Sequence, residues 1–155
     1  MSIVLHDLSL VSLEAIGKIR DEFYSEINVI ESWIISLHNQ TEGEAKTKKK
    51  RCVICNSKED SCDLELHHIA GRKHDFRMIT ACVSCHRYLS DSQKLWDKRW
   101  LLQNQSEKLR ECFFLLGLYD ILILRSKKTG NSIFERLAEK YIERISLLLK
   151  GESNE

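Results

Sequence analysis

Apolar residues recur every three or four positions between Ser12 and Leu37, at Ile16, Ile19, Phe23, Ile27, Ile30, Ile34 and Leu37. That spacing predicts one long amphipathic helix with a single buried stripe. The period is lost from Asn39 to Arg51, where Thr, Glu, Gly and Lys accumulate and the stretch ends in Lys48-Lys49-Lys50-Arg51, which reads as a mobile basic linker. Cys52 to Ser90 shows no helical period until its end. Beyond it, Ser90-Asp91-Ser92-Gln93 has the form of a capping box, and Leu95, Leu102, Leu109, Phe113 and Leu116 predict a helix running on to Arg125. Lys127 to Asn131 reads as a turn. Ser132 with Glu135 then opens a last helix whose stripe is Phe134, Leu137, Tyr141, Ile145 and Leu148. Helices therefore bracket a central segment of different character.

Composition strengthens this picture. The 155 residues include no proline and six glycines, so few breakers oppose helix, and the length suits one compact unit with its own core. The start of the chain lacks a basic stretch followed by an apolar one, which predicts no secretory signal and a reducing, cytoplasmic setting. The longest apolar run, Cys112 to Leu124, is interrupted by Asp120 and is shorter than the roughly 20 residues that span a bilayer. It reads as core or as a helix interface, which leaves a homodimer through the flanking helices open. Net charge is only +1, yet thirteen basic residues face seven acidic ones between Lys46 and Arg99. A basic centre between acidic ends is the distribution expected of a chain whose middle meets a polyanion.

The central segment carries the chemistry. Cys52-Val53-Ile54-Cys55 and Cys82-Val83-Ser84-Cys85 are two Cys-x-x-Cys knuckles 26 residues apart. Two residues between thiolates allow a tight turn to place both sulfurs on one tetrahedral ion, and two such turns close its shell. A closed shell implies a structural zinc held by Cys52, Cys55, Cys82 and Cys85 rather than a catalytic one. Cys62 and Cys112 lie outside the knuckles and read as buried thiols.

Between the knuckles runs Leu64-Glu65-Leu66-His67-His68-Ile69-Ala70-Gly71-Arg72, and His86 follows the second knuckle at once. Alternation of Leu64 and Leu66 with polar residues predicts a half-buried strand, so His67 and His68 point in different directions. On a short helix beginning near Cys82, Cys85 and His86 stand about 100° apart, so one can hold zinc while its neighbour faces another site. A knuckle, a strand ending in His-His, a basic Gly-Arg turn and Cys-x-x-Cys-His together resemble the HNH family of ββα-metal, or His-Me finger, nucleases, over residues 52–90. The resemblance implies a mainly α chain with a small ββα-metal core and long helices before and after a zinc-stabilised hairpin and helix. The implied regions are an N-terminal helical region (1–40), a basic linker (41–51), the zinc-bound core (52–90) and a C-terminal helical region (91–155).

It further implies a metal-dependent DNA endonuclease, a phosphodiester hydrolase. Its catalytic divalent ion (Mg, Mn, Ni or Zn) would be held by His67 and His86, with His68 as general base. Neutral imidazole, with a pKa near 6.5, suits that last role. The family's central asparagine has no counterpart, because no Asn occurs between Asn56 and Asn104. His74, Asp75 and Arg77 are candidates to replace it, and His74 is preferred. A third protein ligand is also missing, since Ser90, four residues past His86, is a poor one. Arg72, Lys73, Arg77 and Arg87 are candidates to position a DNA backbone. Trp96 and Trp100 read as core rather than as base-stacking groups. The alternative reading is a catalytically weak or inactive zinc module that binds nucleic acid or protein.

Overall fold

The computed structural model describes residue 21 and residues 24–150, and the chain divides into two compact units, residues 1–39 and 40–155. In the first unit, residues 24–38 form helix α1. Ile30, Ile34 and Leu37 are its buried positions, as the stripe predicts; Ile16, Ile19 and Phe23 lie outside the described residues.

The second unit is mainly α-helical around one small hairpin. Strand β1 (Leu64–His68) pairs antiparallel with β2 (Met78–Cys82), with Leu64 opposite Cys82 and His68 opposite Met78. Helix α3 (Val83–Gln93) follows β2 without a loop, so the three elements make the expected ββα unit. Every residue of β2 after Met78 is buried. One reason lies in residues 40–51, which are not the mobile tether their composition suggests. Thr41 and Glu44 form a capping box on the short helix α2 (Glu42–Ala45). Gln40 clamps both backbone groups of Met78, donating to its carbonyl at 3.1 Å and accepting from its N–H at 2.9 Å. The backbone N–H of Lys49 donates to Thr80 Oγ1 and that of Val53 to the Thr80 carbonyl. This segment covers polar groups that an edge strand would otherwise expose.

The predicted helix from Ser90 to Arg125 is in fact two. Helix α3 ends at Gln93, and a 3-10 turn over Lys98–Leu101 intervenes before α4 (Glu107–Thr129) begins. The physical reason is capping: Asp97 accepts from the Arg99 N–H, and Ser106 from the Leu109 N–H, so Ser106 rather than Ser90 starts the long helix. Leu95 and Leu102, which continue the stripe on paper, are exposed. Trp96 and Trp100 turn inward instead, their indole N–H groups donating to Asp120 Oδ2 at 2.9 Å and to the Ala70 carbonyl at 2.8 Å. Helix α4 is buried on most sides, ends at Gly130 in the left-handed conformation (φ 71°), and turns into α5 (Ile133–Lys150), which packs back along it. The backbone N–H of Ile133 is satisfied by Asn131 Oδ1 at 3.0 Å. The apolar run Cys112–Leu124, a candidate for pairing two copies, is occupied by the chain's own core. No described helix is long and apolar enough to cross a membrane.

Contact between α4 and the hairpin is unusually close. A Cβ at Gly117 would lie 2.0 Å from the Ile69 carbonyl oxygen, immediately after His68 in the chain. Gly117→Ala therefore destabilises the protein by about 1–3 kcal/mol or more through overpacking, although alanine favours an isolated helix by about 1 kcal/mol. A lowered urea midpoint checks this; a midpoint that rises would show that α4 is free to back away.

Candidate metal centre

The local folding of the two knuckles gathers the four thiols. After Cys52 the chain reverses through Asn56, which takes φ 62°, and the Cys52 N–H donates to the Ser57 carbonyl at 2.9 Å. Asparagine tolerates this left-handed conformation better than most residues. The second knuckle is the junction of β2 with α3: Cys82 is the N-cap and Cys85 lies in the first turn. There the helix dipole favours anionic sulfur. The ligand atoms of Cys52, Cys55, Cys82 and Cys85 all lie within 4.8 Å of one another, and Cys55 Sγ is 3.7 Å from Cys82 Sγ. Tetrahedral zinc, with Zn–S about 2.3 Å, requires sulfurs roughly 3.8 Å apart. The donor set and spacing fit that ion, so the chain carries a metal-binding four-cysteine cluster.

Electrostatics within the cluster are uneven. Burial, followed by the charges and hydrogen-bonding partners of the other thiols, raises the pKa of Cys85, and burial also raises that of Cys52. At Cys55 burial acts upward too, but hydrogen bonds from the Ser57 hydroxyl and backbone and contacts with Cys52 and Cys82 outweigh it, bringing the thiol down to about 6. Thiols crowded in this way ionise together only beside a cation. Cys62 is half-buried, with Sγ 3.4 Å from the Lys58 carbonyl, and Cys112 is buried. Neither belongs to the cluster.

Beside this centre the hairpin and helix bring two imidazoles together. His67 is buried on β1; His86, next to Cys85, is half-buried on α3; their rings meet edge to face with centroids 5.1 Å apart. An ion about 2.1 Å from one nitrogen of each ring would set the centroids roughly 5 Å apart. The observed spacing is compatible with an ion shared by the two rings. Burial chiefly, helped by the nearby His86 and His68, lowers the pKa of His67 to about 3, which keeps the ring neutral with one nitrogen lone pair free. Glu65 Oε2 lies 3.1 Å from His86 Nδ1, an arrangement that fixes the orientation of the ring. Among the described residues the four thiols are the one group of three or more His, Cys, Asp or Glu side chains close enough to share an ion, so His67 and His86 stand as a pair.

His68 is half-buried, pointing away from its neighbour as alternation along a strand requires. Burial first, then the charges of Arg72 and His86, lower its pKa, while Asp75 acts in the opposite sense. His74 is buried against Phe113, with ring centroids 4.9 Å apart, and its Nε2 lies 2.6 Å from the Trp100 carbonyl. It thereby ties the hairpin loop to the segment between α3 and α4. Arg77 is held by Asp75, its Nε donating to Oδ1 at 2.8 Å, and its guanidinium lies 3.4 Å from the Phe114 ring centroid. Those contacts commit it to the fold. Lys73 Nζ donates to the Leu101 carbonyl at 3.2 Å, and Arg72 and Arg87 are exposed.

Three residues of this neighbourhood were passed over in the sequence. Glu65 precedes His67 by two, so strand alternation places it on the same face. Gln93 follows His86 by seven, two helical turns, and its Nε2 lies 3.3 Å from His67 Nε2. Arg125, which donates to the Val53 carbonyl inside the first knuckle and stacks on Phe134, gives no signal at all from 72 residues away. Comparison with protein-family models, curated proteins and solved structures finds no match.

The low pKa of His67 has a consequence for stability. An unfolded histidine binds its proton near 6.5, whereas the folded ring binds it near 3. Its contribution is therefore fully present above pH 6.5 and is lost as pH falls toward 3. Measured without added divalent ions, His67→Phe should show a shallower loss of stability across that window than the parent; identical slopes would place the acid sensitivity elsewhere.

Proposed function

We propose that this chain is an HNH-type, metal-dependent DNA endonuclease built on a zinc-stabilised ββα unit. The observation that carries this reading is the edge-to-face pair of His67 and His86, 5.1 Å apart beside the four-thiol cluster, with Glu65 behind His86. His67 and His86 would hold a divalent ion, which when bound would stabilise charge on the scissile phosphate and on the departing oxygen. His68 is neutral at cellular pH, so it can take a proton from water as the water oxygen bonds to phosphorus. The bond to the 3′ oxygen breaks, that oxygen is protonated by solvent, and a 5′ phosphate remains. Arg72, whose charge reaches His68, would receive a neighbouring phosphate, and exposed Arg87 would extend the basic surface. Lys73 and Arg77, being engaged by Leu101 and Asp75, contribute by shaping the loop. His74 in this reading takes over loop anchoring from the family's asparagine, through its contact with the Trp100 carbonyl.

A second reading follows from one specific observation: no third His, Cys, Asp or Glu among the described residues joins His67 and His86. In that case the chain is a zinc module that binds nucleic acid or protein without cutting, which asks least beyond the four-cysteine cluster. The experiment is plasmid nicking across Mg, Mn, Ni and Zn with the parent and His68→Ala. The nuclease reading predicts metal-dependent nicking that drops by about 10²–10⁴ in the variant while one zinc per chain is retained. DNA binding with no cleavage in any metal would establish the non-catalytic module.

A further inference from the structure

Gln93 is the last residue of α3 and is buried, an uncommon place for a polar side chain without a task. Its Nε2 donates to the His68 carbonyl at 2.9 Å and to the Ile69 carbonyl at 3.1 Å, and lies 3.3 Å from His67 Nε2. Carbonyl oxygens only accept, so the amide must present nitrogen rather than oxygen here. An amide nitrogen has no lone pair to offer, so His67 Nε2 cannot donate to it, and a proton on Nε2 would point at a group unable to accept it. Both amide hydrogens are already directed at the two carbonyls, which leaves the contact with the imidazole weak and replaceable.

We propose that Gln93 is a positioning residue that clamps the end of β1 to α3 and holds His67 with an unprotonated Nε2 toward the helix face bearing His86. The amide does two things at once. It pins the backbone at residues 68 and 69, from which His68 projects, and it selects the His67 tautomer that keeps a lone pair open to a divalent ion. Met could fill the same volume but would leave two buried carbonyls without donors. Glu could fill it as well, but as an acceptor it would repel the carbonyls and draw a proton onto Nε2. As far as it concerns the ion at His67 and His86, this inference rests on the proposed function.

The test combines 15N imidazole spectra of zinc-loaded protein with nickel titration by calorimetry, on the parent, Gln93→Met and Gln93→Glu. Expected are an unprotonated His67 Nε2 in the parent, a protonated one in Gln93→Glu, and nickel affinity reduced about 10–100-fold in both variants with zinc content unchanged. A protonated Nε2 in the parent overturns the proposal, and so does nickel affinity in both variants equal to the parent's. Should neither variant fold, the parent spectrum alone decides. None of these readouts needs DNA cleavage, so a parent that binds nickel but never nicks DNA would count against the nuclease reading while leaving Gln93 in its role.

Discussion

Four thiols converging on one point tie together parts of the chain that would otherwise have little reason to meet. The first knuckle is a tight reversal that buries Ile54, and the second is the corner where β2 becomes α3. A hairpin of five-residue strands is marginal in isolation. With sulfurs at zinc-like spacing, the reversal, the hairpin and the helix become one body, and metal binding energy becomes folding energy. The orientation of α3 follows from this, and with it the direction in which His86 faces. Cys85 and His86 are neighbours on the helix, so an ion that anchors one would aim the other.

Helix α4 supplies the second constraint. Gly117 admits the Ile69 carbonyl at a distance no side chain would allow, Phe114 receives the Arg77 guanidinium, Asp120 receives Ser92 and Trp96, and Arg125 reaches into the first knuckle. Buried polar contacts of this kind cost free energy unless fully satisfied, and they confer a unique arrangement when they are. Asp120 illustrates the point: burial raises its pKa, while Ser92 and Trp96 pull it back down by donating to the carboxylate. The junction of hairpin and α3 beside the four-cysteine cluster is thus clamped from the thiol side and from the long helix.

Much of this arrangement was readable in the residues. The knuckles announce themselves because thiolate spacing is a local property, and the strand ending in two histidines is visible because alternation has a period of two. What the sequence hid was non-local. Residues 40–51 look like a tether by composition, yet Gln40 and Lys49, with Val53 of the first knuckle, satisfy the exposed edge of β2, a pairing that no local pattern encodes. Leu95 and Leu102 sit at helical spacing, but Asp97 and Ser106 offer better caps, so the helix breaks and restarts. Arg77 looks like a phosphate ligand until Asp75 and Phe114 are seen to hold it. In each case another interaction, local or tertiary, overrode the simplest local signal.

The proposed function rests on a second ion site that hairpin and helix would create next to the four thiols. Anomalous scattering from crystals grown with zinc and soaked in nickel tests it most directly. The account predicts a zinc peak inside the four sulfurs and a nickel peak between the imidazoles of His67 and His86, with His68 bordering open solvent. A zinc peak alone, with those two rings turned toward unrelated surroundings, would contradict it.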